Sequence, residues 1–183
     1  MIFRAVEDAD LIARVQKGDV EAFNLLVSRW EKRVYNYLLR LTNRSEDALD
    51  LSQDVFLKAY QNIRKLDDVA RFPAWLFRIA HNEAYSLLRK NKPEVDLEAS
   101  GVLATSAAHS FAPDLSLAVT AALDRLHPDQ REAVVLKVYE GFKFEEIAGI
   151  LGCPVSTVKS RLYTAMDLLK TELAPVKMGG ARA

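Results

Sequence analysis

The sequence has few of the features on which secreted, membrane-spanning and phosphate-binding proteins depend. A single cysteine, Cys153, excludes a disulfide within the chain and suits a reducing cytoplasm. Only seven glycines occur, and none belongs to a glycine-rich phosphate loop. No apolar run approaches the roughly 18 residues of a membrane span, and the N-terminus lacks a signal-peptide layout. We therefore expect a cytoplasmic protein with no direct membrane insertion.

Candidate catalytic and metal-binding residues are equally sparse. The three histidines, His81, His109 and His127, do not pair with Cys, Asp or Glu at metal-ligand spacing. The carboxylates between residues 46 and 54 have no histidine partner, and no nucleophile-and-base set is visible. The sequence predicts no metal, no cofactor, no small-molecule substrate and no catalysis by this chain alone.

Charge is balanced over the whole chain but unevenly distributed along it. The 25 basic and 25 acidic side chains leave no net charge. Residues 64–92 carry seven basic and three acidic groups, and residues 151–183 carry five and two. Two separate basic segments on an otherwise acidic chain indicate two separate contacts with phosphate.

Apolar residues recur at helical spacing, and no stretch alternates as a strand would. Residues 93–113 are rich in Ala and Ser, lack Lys and Arg and show no sustained period, which predicts a flexible linker. The predicted fold is therefore all-α, with two small helical domains joined by that linker. The domains are expected over residues 1–92 and 114–173, and a tail over 174–183.

Residues 144–170 predict two short helices joined by a tight turn. Gly152 permits the positive φ that such a turn needs, and Pro154 prevents the first helix from continuing. Ser156 or Thr157 is expected to cap the second helix. Its expected apolar positions are Val158, Leu162, Ala165, Leu168 and Leu169.

The spacing of Ala148, Gly152 and Val158 is typical of a helix-turn-helix, whose second helix enters the major groove. An ordinary αα-hairpin in a helical bundle is the alternative. Polar and basic residues concentrated at the start of the second helix favour DNA binding. Ahead of this motif, a helix over about residues 129–140 is expected to bury Val138 and Tyr139. Lys143, just before the motif, is a poor helix cap.

The helix predicted over about residues 46–62 has two unlike sides. Its apolar side carries Ala48, Leu51, Val55, Ala59, Tyr60 and Ile63. Its other side carries Asp47, Asp50, Gln53, Asp54, Phe56 and Leu57. This second side is either a solvated acidic face or the docking surface of a protein partner with basic residues.

A further helix, predicted to start near Phe72 with Pro73 in its first turn, interleaves aromatic with basic residues. Proteins that bind unpaired bases use aromatic rings as stacking platforms beside cations that contact the backbone. The pattern favours a single-strand site, and an aromatic-rich core with a solvated basic edge is the alternative.

The order of these segments resembles the extracytoplasmic-function (ECF) sigma factors, the small bacterial subunits that select promoters for RNA polymerase. GDVEAFNLLVSRW and DLSQDVFLKAY are similar to the first half of the family's region 2, and RFPAWLFRIAHNEAYSLLRK is similar to its promoter-melting half. LDRLHPDQREAVVLKVYEGFKFEEIAGILGCPVSTVKSRLY is similar to region 4. The resemblance covers about residues 8–173.

This resemblance implies three binding surfaces. The surface that docks on the β′ coiled coil of core RNA polymerase would comprise Asp47, Asp50, Gln53, Asp54, Phe56 and Leu57. The reader of the unpaired −10 strand would comprise Lys65, Arg71, Phe72, Trp75, Arg78, His81, Asn82 and Tyr85. The reader of the −35 duplex would comprise Ser156, Thr157, Lys159, Ser160, Arg161, Tyr163 and Thr164.

The resemblance also implies the partners: core RNA polymerase, including its β flap, promoter DNA and an anti-sigma factor, which in the family is often membrane-bound. RNA synthesis would belong to the polymerase, so the chain would be non-catalytic. Two departures from the family pattern bear on promoter choice at −10 and predict fewer contacts at −35. The loop KLDDVAR lacks the glycine and aromatic residue often found where the family holds a flipped −10 base, and Thr164 and Met166 replace cations of the recognition helix.

Two other classes of protein fit parts of the sequence. One is a stand-alone helix-turn-helix regulator with an N-terminal dimerisation or sensing domain, and the other is a helical adaptor that binds only protein. The presence of both an acidic-apolar helix and an aromatic-basic helix favours the sigma factor, because a repressor has no need of both.

Overall fold

The computed structural model describes residues 6–90 and 113–178, with side chains for residues 6–90 and 117–174. Every regular element in these ranges is helical, and the chain divides into two compact units, residues 1–92 and 93–183. The predicted all-α fold with two helical domains is confirmed. The expected linker falls almost entirely outside the described residues.

Within residues 6–90, the first unit forms four α-helices and two short 3₁₀ turns. The helices are α1 (Asp8–Gln16), α2 (Val20–Thr42), α3 (Ser45–Asn62) and α4 (Phe72–Lys90), and the 3₁₀ turns at Ile63–Lys65 and Val69–Arg71 join α3 to α4. Their boundaries follow local chemistry. Gly18 takes a φ of 98° between α1 and α2, and Asp19 caps α2 by accepting a hydrogen bond from the Ala22 N–H at 3.0 Å. Asn43 ends α2 in the left-handed conformation.

The core of the first unit is rich in aromatic side chains. Tyr37 and Phe77 are fully buried and meet edge to face with ring centroids 5.1 Å apart. The apolar side predicted for α3 is buried except for Tyr60, which is 41% exposed and packs against Phe23 at 4.9 Å. These contacts pack α3 and α4 against α2, and α3 also packs directly on α4.

Polar side chains attach α1 to the rest of the first unit. Asp8 accepts hydrogen bonds from the Trp30 indole at 2.9 Å and from Arg29 at 2.8 Å. Gln16 donates to the carbonyls of Ile63 and Leu66 at 3.1 and 2.9 Å, which holds the turn after α3 in place. That turn forms one wall of a cleft described below.

The second unit contains α5 (Pro113–Asp124), α6 (Pro128–Val134), a π-helical turn (Val135–Tyr139), α7 (Phe144–Leu151) and α8 (Val155–Met178). Its core joins α5, α6 and α8 through Ala122, Leu123, Leu126, Val134, Leu162, Ala165 and Leu169. Leu173 packs against this cluster, and α8 continues beyond residue 173, where the apolar pattern ends.

The π-helical turn corrects the prediction for Val138 and Tyr139, which are 59% and 43% exposed instead of buried. A π turn contains more residues than an α turn, so the side chain four positions after Val134 no longer returns to the core face. The core contact passes to Phe142, which is 5% exposed.

The turn between α7 and α8 has the predicted backbone but a different cap. Gly152 ends α7 with a φ of 64°. Helix α8 starts at Val155, and the Pro154 carbonyl accepts the Thr157 N–H at 3.0 Å, so neither Ser156 nor Thr157 is the cap. Leu168 was expected in the core but is 46% exposed, whereas Leu162 and Leu169, which share a side of α8 about 100° away from it, are buried.

Candidate functional site

The exposed side of α3 combines carboxylates with leucines. Asp50, Gln53, Asp54 and Leu57 are exposed as predicted, with Leu57 at 56%. Leu49, which was not among the predicted residues of this surface, is 54% exposed. Leu49, Gln53 and Leu57 follow each other at four-residue spacing, so they share one face of the helix. We call Leu49, Asp50, Gln53, Asp54 and Leu57 the acidic-apolar face.

Two residues predicted for this surface have other surroundings. Phe56 is only 9% exposed, so the expectation that its ring lies on the exposed side is wrong. At about 100° per residue, position 56 falls beside the buried positions 52 and 59 of α3. Asp47 is partly buried and forms an ion pair with Arg44 at 3.4 Å.

A cleft of about 280 Å³ opens between the end of α3 and one stripe of α4. Its lining residues are Lys58, Asn62, Lys65, Trp75, Ile79, Asn82 and Glu83. Lys65, Trp75 and Asn82 were predicted to contact the −10 strand, and the structure brings these three together. The other four were not predicted. Spacings of four, seven and eight residues after Trp75 indicate that Ile79, Asn82 and Glu83 share its helix face.

Hydrogen bonds and one ion pair organise the polar groups of the cleft. Lys65 donates to the Asn62 amide oxygen at 3.1 Å, and Asn62 donates to the Lys58 carbonyl at 2.9 Å. The Lys58 ammonium lies 2.5 Å from the Glu83 carboxylate, across the gap between α3 and α4. Donors, an acceptor and an aromatic wall therefore face one opening, which is the combination that reads unpaired bases.

Phe72 was predicted to contact DNA, but its side chain is 1% exposed. The ring packs against Trp30 at 5.8 Å and against Trp75 at 5.9 Å. Phe72 can therefore act only as a support for Trp75, because a ring that is enclosed on its faces cannot stack on a base.

The remaining residues predicted for the −10 strand lie outside the cleft lining. Arg71 and Arg78 are exposed, and Arg71 forms an ion pair with Asp68 at 3.4 Å. His81 and Tyr85 are half-buried and stack on each other with ring centroids 4.5 Å apart.

The first turns of α8 present the side chains predicted to contact the −35 duplex. Lys159, Tyr163, Ser156, Ser160 and Thr164 are exposed, and Thr157 is half-buried. The Lys159 ammonium lies 5.4 Å from the centre of the Phe144 ring on α7, within the range of a cation–π contact. This contact links the two helices of the motif.

Arg161 is held by an acid on another helix. Its guanidinium lies 2.6 Å from the Asp129 carboxylate of α6, and its side chain is 29% exposed. The same group approaches the Cys153 sulfur at 3.9 Å. Arg161 therefore faces the protein as well as the surface, unlike Lys159.

The start of α7 compensates for Lys143. The Lys143 side chain has no acceptor, but its backbone N–H donates to the Glu146 carboxylate at 2.8 Å. The carboxylates of Glu145 and Glu146 in the first turn also stabilise α7, because they lie near the positive end of the helix dipole.

Groups that could hold a metal ion, meaning three or more neighbouring His, Cys, Asp or Glu side chains, are absent from the described residues. Among these same residues, no helix is both long and apolar enough to cross a membrane.

Two family models match the chain: "Sigma-70 region 2" over residues 26–94 and "Sigma-70, region 4" over residues 116–169. The chain is 33% identical to the ECF RNA polymerase sigma-E factor of Haemophilus influenzae, with 92% of this chain and 96% of that protein covered. It is 34% identical to the Escherichia coli K12 protein of the same name, with 92% and 95% covered.

Two solved structures are similar over most of both chains. CnrH in complex with the cytosolic domain of CnrY is 28% identical, with a TM-score of 0.70 and 92% of this chain and 97% of that chain covered. The sigma factor RpoE in complex with the anti-sigma factor NepR from Bartonella quintana is 31% identical, with a TM-score of 0.69 and 83% and 96% covered.

Proposed function

The chain belongs to the extracytoplasmic-function sigma factors, and on that premise we propose that it binds core RNA polymerase and directs transcription initiation at particular promoters. The observation that carries the proposal is that matches to sigma regions 2 and 4 occur in order on one chain. The polymerase supplies the chemistry of RNA synthesis, and this chain acts in the cytoplasm as a non-catalytic specificity subunit.

The acidic-apolar face of α3 is the proposed docking surface for the β′ coiled coil. Leu49 and Leu57 are more than half exposed, and Asp50 and Asp54 are exposed beside them. A partner with basic and apolar residues would cover both kinds of group, because the buried core of an interface is apolar and its rim is polar. Gln53 lies between the two leucines, and Asp47 at the edge of this surface.

The cleft between α3 and α4 is the proposed binding site for an unpaired base of the −10 strand. Trp75 and Ile79 offer apolar contact to a base, and Asn82 offers a donor and an acceptor to a base edge. Lys65 and the exposed Arg71 and Arg78 would contact the backbone of the strand. His81 and Tyr85 extend this surface along α4.

The start of α8 is the proposed reader of the −35 duplex. The exposed residues Lys159, Ser160 and Tyr163 would contact bases or phosphates in the major groove. Arg161 contributes less than the sequence predicts, because Asp129 already neutralises it. Ser156, Thr157 and Thr164 complete the surface, and a β-flap contact is proposed for the same unit.

An anti-sigma factor is the proposed regulator. Both similar structures are complexes, one with the cytosolic domain of CnrY and one with the anti-sigma factor NepR. A partner of this kind would cover the polymerase- and DNA-binding surfaces until a stress or envelope signal releases the chain.

Reconstituted transcription tests the proposal. The purified chain is added to core RNA polymerase from its own organism, and transcripts are mapped on a genomic promoter library. We expect defined start sites that are absent with core polymerase alone. A chain that binds promoter-length duplex DNA but neither binds core polymerase nor initiates transcription would be a stand-alone regulator instead. A chain that binds only protein would be an adaptor.

A further inference from the structure

The lining of the cleft contains one carboxylate, Glu83, which is paired with one of the two lysines of the cleft. Among the lining residues, Trp75 and Ile79 are apolar or aromatic, Asn62 and Asn82 are amides, Lys58 and Lys65 are cations, and Glu83 is the acid. The Glu83 side chain is 16% exposed and forms the 2.5 Å ion pair with Lys58. The same two residues also line a neighbouring depression with Ser86, Arg89 and Lys90.

An ionised carboxylate can only accept hydrogen bonds. A single strand offers phosphate oxygens, which the carboxylate repels, and base edges. Adenine, cytosine and guanine carry an exocyclic amino group that donates, whereas thymine carries carbonyl oxygens in its place. Lys58 and Lys65 keep the cleft cationic overall, so the acid can select among bases without rejecting the strand.

We propose that Glu83 is a specificity-determining residue of this cleft, which accepts a hydrogen bond from the exocyclic amino group of an unpaired base and disfavours thymine. The inference rests on the proposed capture of the −10 strand and specifies the base class that the cleft takes. Asn82, the neighbouring residue on α4, would hold the adjacent edge atoms of the base, while Trp75 and Ile79 contact its ring.

Oligonucleotides that differ only in the amino group test this assignment. The full chain is titrated against labelled single-stranded hexamers of deoxyadenosine and of deoxynebularine, which is the same purine without the amino group. We expect the deoxyadenosine hexamer to bind about fivefold to tenfold more tightly. Glu83→Leu removes both acceptor oxygens at a similar side-chain length and should bring this ratio close to one. Glu31→Leu, at an exposed position of α2, is the matched control and should leave the ratio unchanged.

A charge-swapped pair separates recognition from a structural role. Lys58→Glu combined with Glu83→Lys keeps an ion pair between α3 and α4 but puts a donor where the acceptor was. We expect the variant to fold as the wild type does and to prefer a thymidine hexamer over a deoxyadenosine one. Retention of the wild-type preference would show that Glu83 only holds the helices together.

The outcomes also separate this inference from the proposed function. If the wild-type chain binds no hexamer, single-strand capture and the inference both fail. If it binds both purine hexamers equally, or if Glu83→Leu keeps the preference, only the inference fails.

Discussion

At the scale of single residues, the cleft depends on a few side chains that a buried residue supports. Trp75 lines the opening, and Phe72 lies behind it with 1% of its surface exposed. Phe72 itself packs on Trp30, so the wall of the cleft continues into the core of the first unit. Rigid support of this kind keeps a stacking surface in place before a strand arrives.

Removing the side chains of the cleft should impair promoter opening without affecting duplex recognition. Asn82→Ala and Trp75→Ala should each lower open-complex formation by roughly 1–3 kcal/mol, or about 5- to 150-fold. Permanganate footprinting of the melted strand measures this effect, and binding to a −35 duplex should stay unchanged.

Asn24→Ala, at an exposed position of α2, is the control for Asn82→Ala and should leave both measurements unchanged. Circular dichroism verifies that each variant is folded. A parallel loss of duplex binding and opening would contradict the assignment of these tasks to different units.

The stability of the free chain at acid pH should reveal the contribution of the Asp19 cap of α2. The pKa of Asp19 is lowered, first by the hydrogen bond from the Ala22 N–H and then by the one from Arg14. This carboxylate therefore stabilises the folded state above its unfolded pKa, about 3.9, and the stabilisation is lost as the pH falls through the lower folded value. Asp19→Asn keeps a capping oxygen and should flatten the acid limb of a stability–pH profile measured by denaturant unfolding.

At the scale of elements, the helices follow local signals, whereas the pairings between helices do not. Asp19, Asn43 and Gly152 are helix-capping residues that can be recognised from a few residues of sequence, and α2 and α7 begin or end beside them. The exposure of single side chains was less predictable. Each residue turns the helix by about 100°, so neighbouring residues at the edge of the core face can be buried or exposed. Phe56 and Leu49 lie near the edge of the core face of α3, where hydrophobicity alone does not tell which side is covered.

The ion pairs at the candidate surfaces could not be predicted from sequence spacing. Lys58 and Glu83 are 25 residues apart, and they meet only because α3 packs on α4. Asp129 meets Arg161 for the same kind of reason, through the packing of α6 on α8. The resemblance to a family predicts the surfaces, and the tertiary structure determines which of their cations form ion pairs within the protein.

The Asp129–Arg161 ion pair predicts that removing the acid increases the affinity of the chain for the −35 duplex. Asp129→Asn should release Arg161 toward DNA and strengthen −35 duplex binding by about threefold to tenfold. One additional phosphate contact would steepen the slope of log affinity against log salt by about 0.9. Anisotropy titrations at several salt concentrations measure both quantities.

Asp167→Asn is the matched control for that experiment, because it removes one exposed acid from α8 itself without releasing Arg161. If removing any acid strengthened binding simply by lowering the repulsion between the protein and DNA, the two variants would gain the same affinity for the −35 duplex. Only a larger effect at Asp129, abolished when Arg161→Ala is added, agrees with the release of the arginine.

At the scale of the whole molecule, polymerase binding and duplex binding are assigned to different units. Leu57→Lys on the acidic-apolar face should weaken binding to core polymerase by about 1–2 kcal/mol, or roughly 5- to 30-fold. Leu25→Lys, at a 48% exposed leucine of α2, is the control and should have little effect. Both variants should bind the −35 duplex normally. Equal losses for the two leucines would mean that the acidic-apolar face is not the docking surface.

The restraint that Asp129 places on Arg161 has a consequence for the chain in a crowded nucleoid. A chromosome offers millions of irrelevant phosphates, and each available cation makes a protein more prone to linger on them. In α8, Lys159 is exposed but Arg161 is paired with Asp129, and the chain as a whole has no net charge. We therefore expect the chain to bind nonspecific DNA only briefly. We expect most free copies to stay unbound to nonspecific DNA and available to bind polymerase. A small rise in their number should then quickly increase transcription from their promoters.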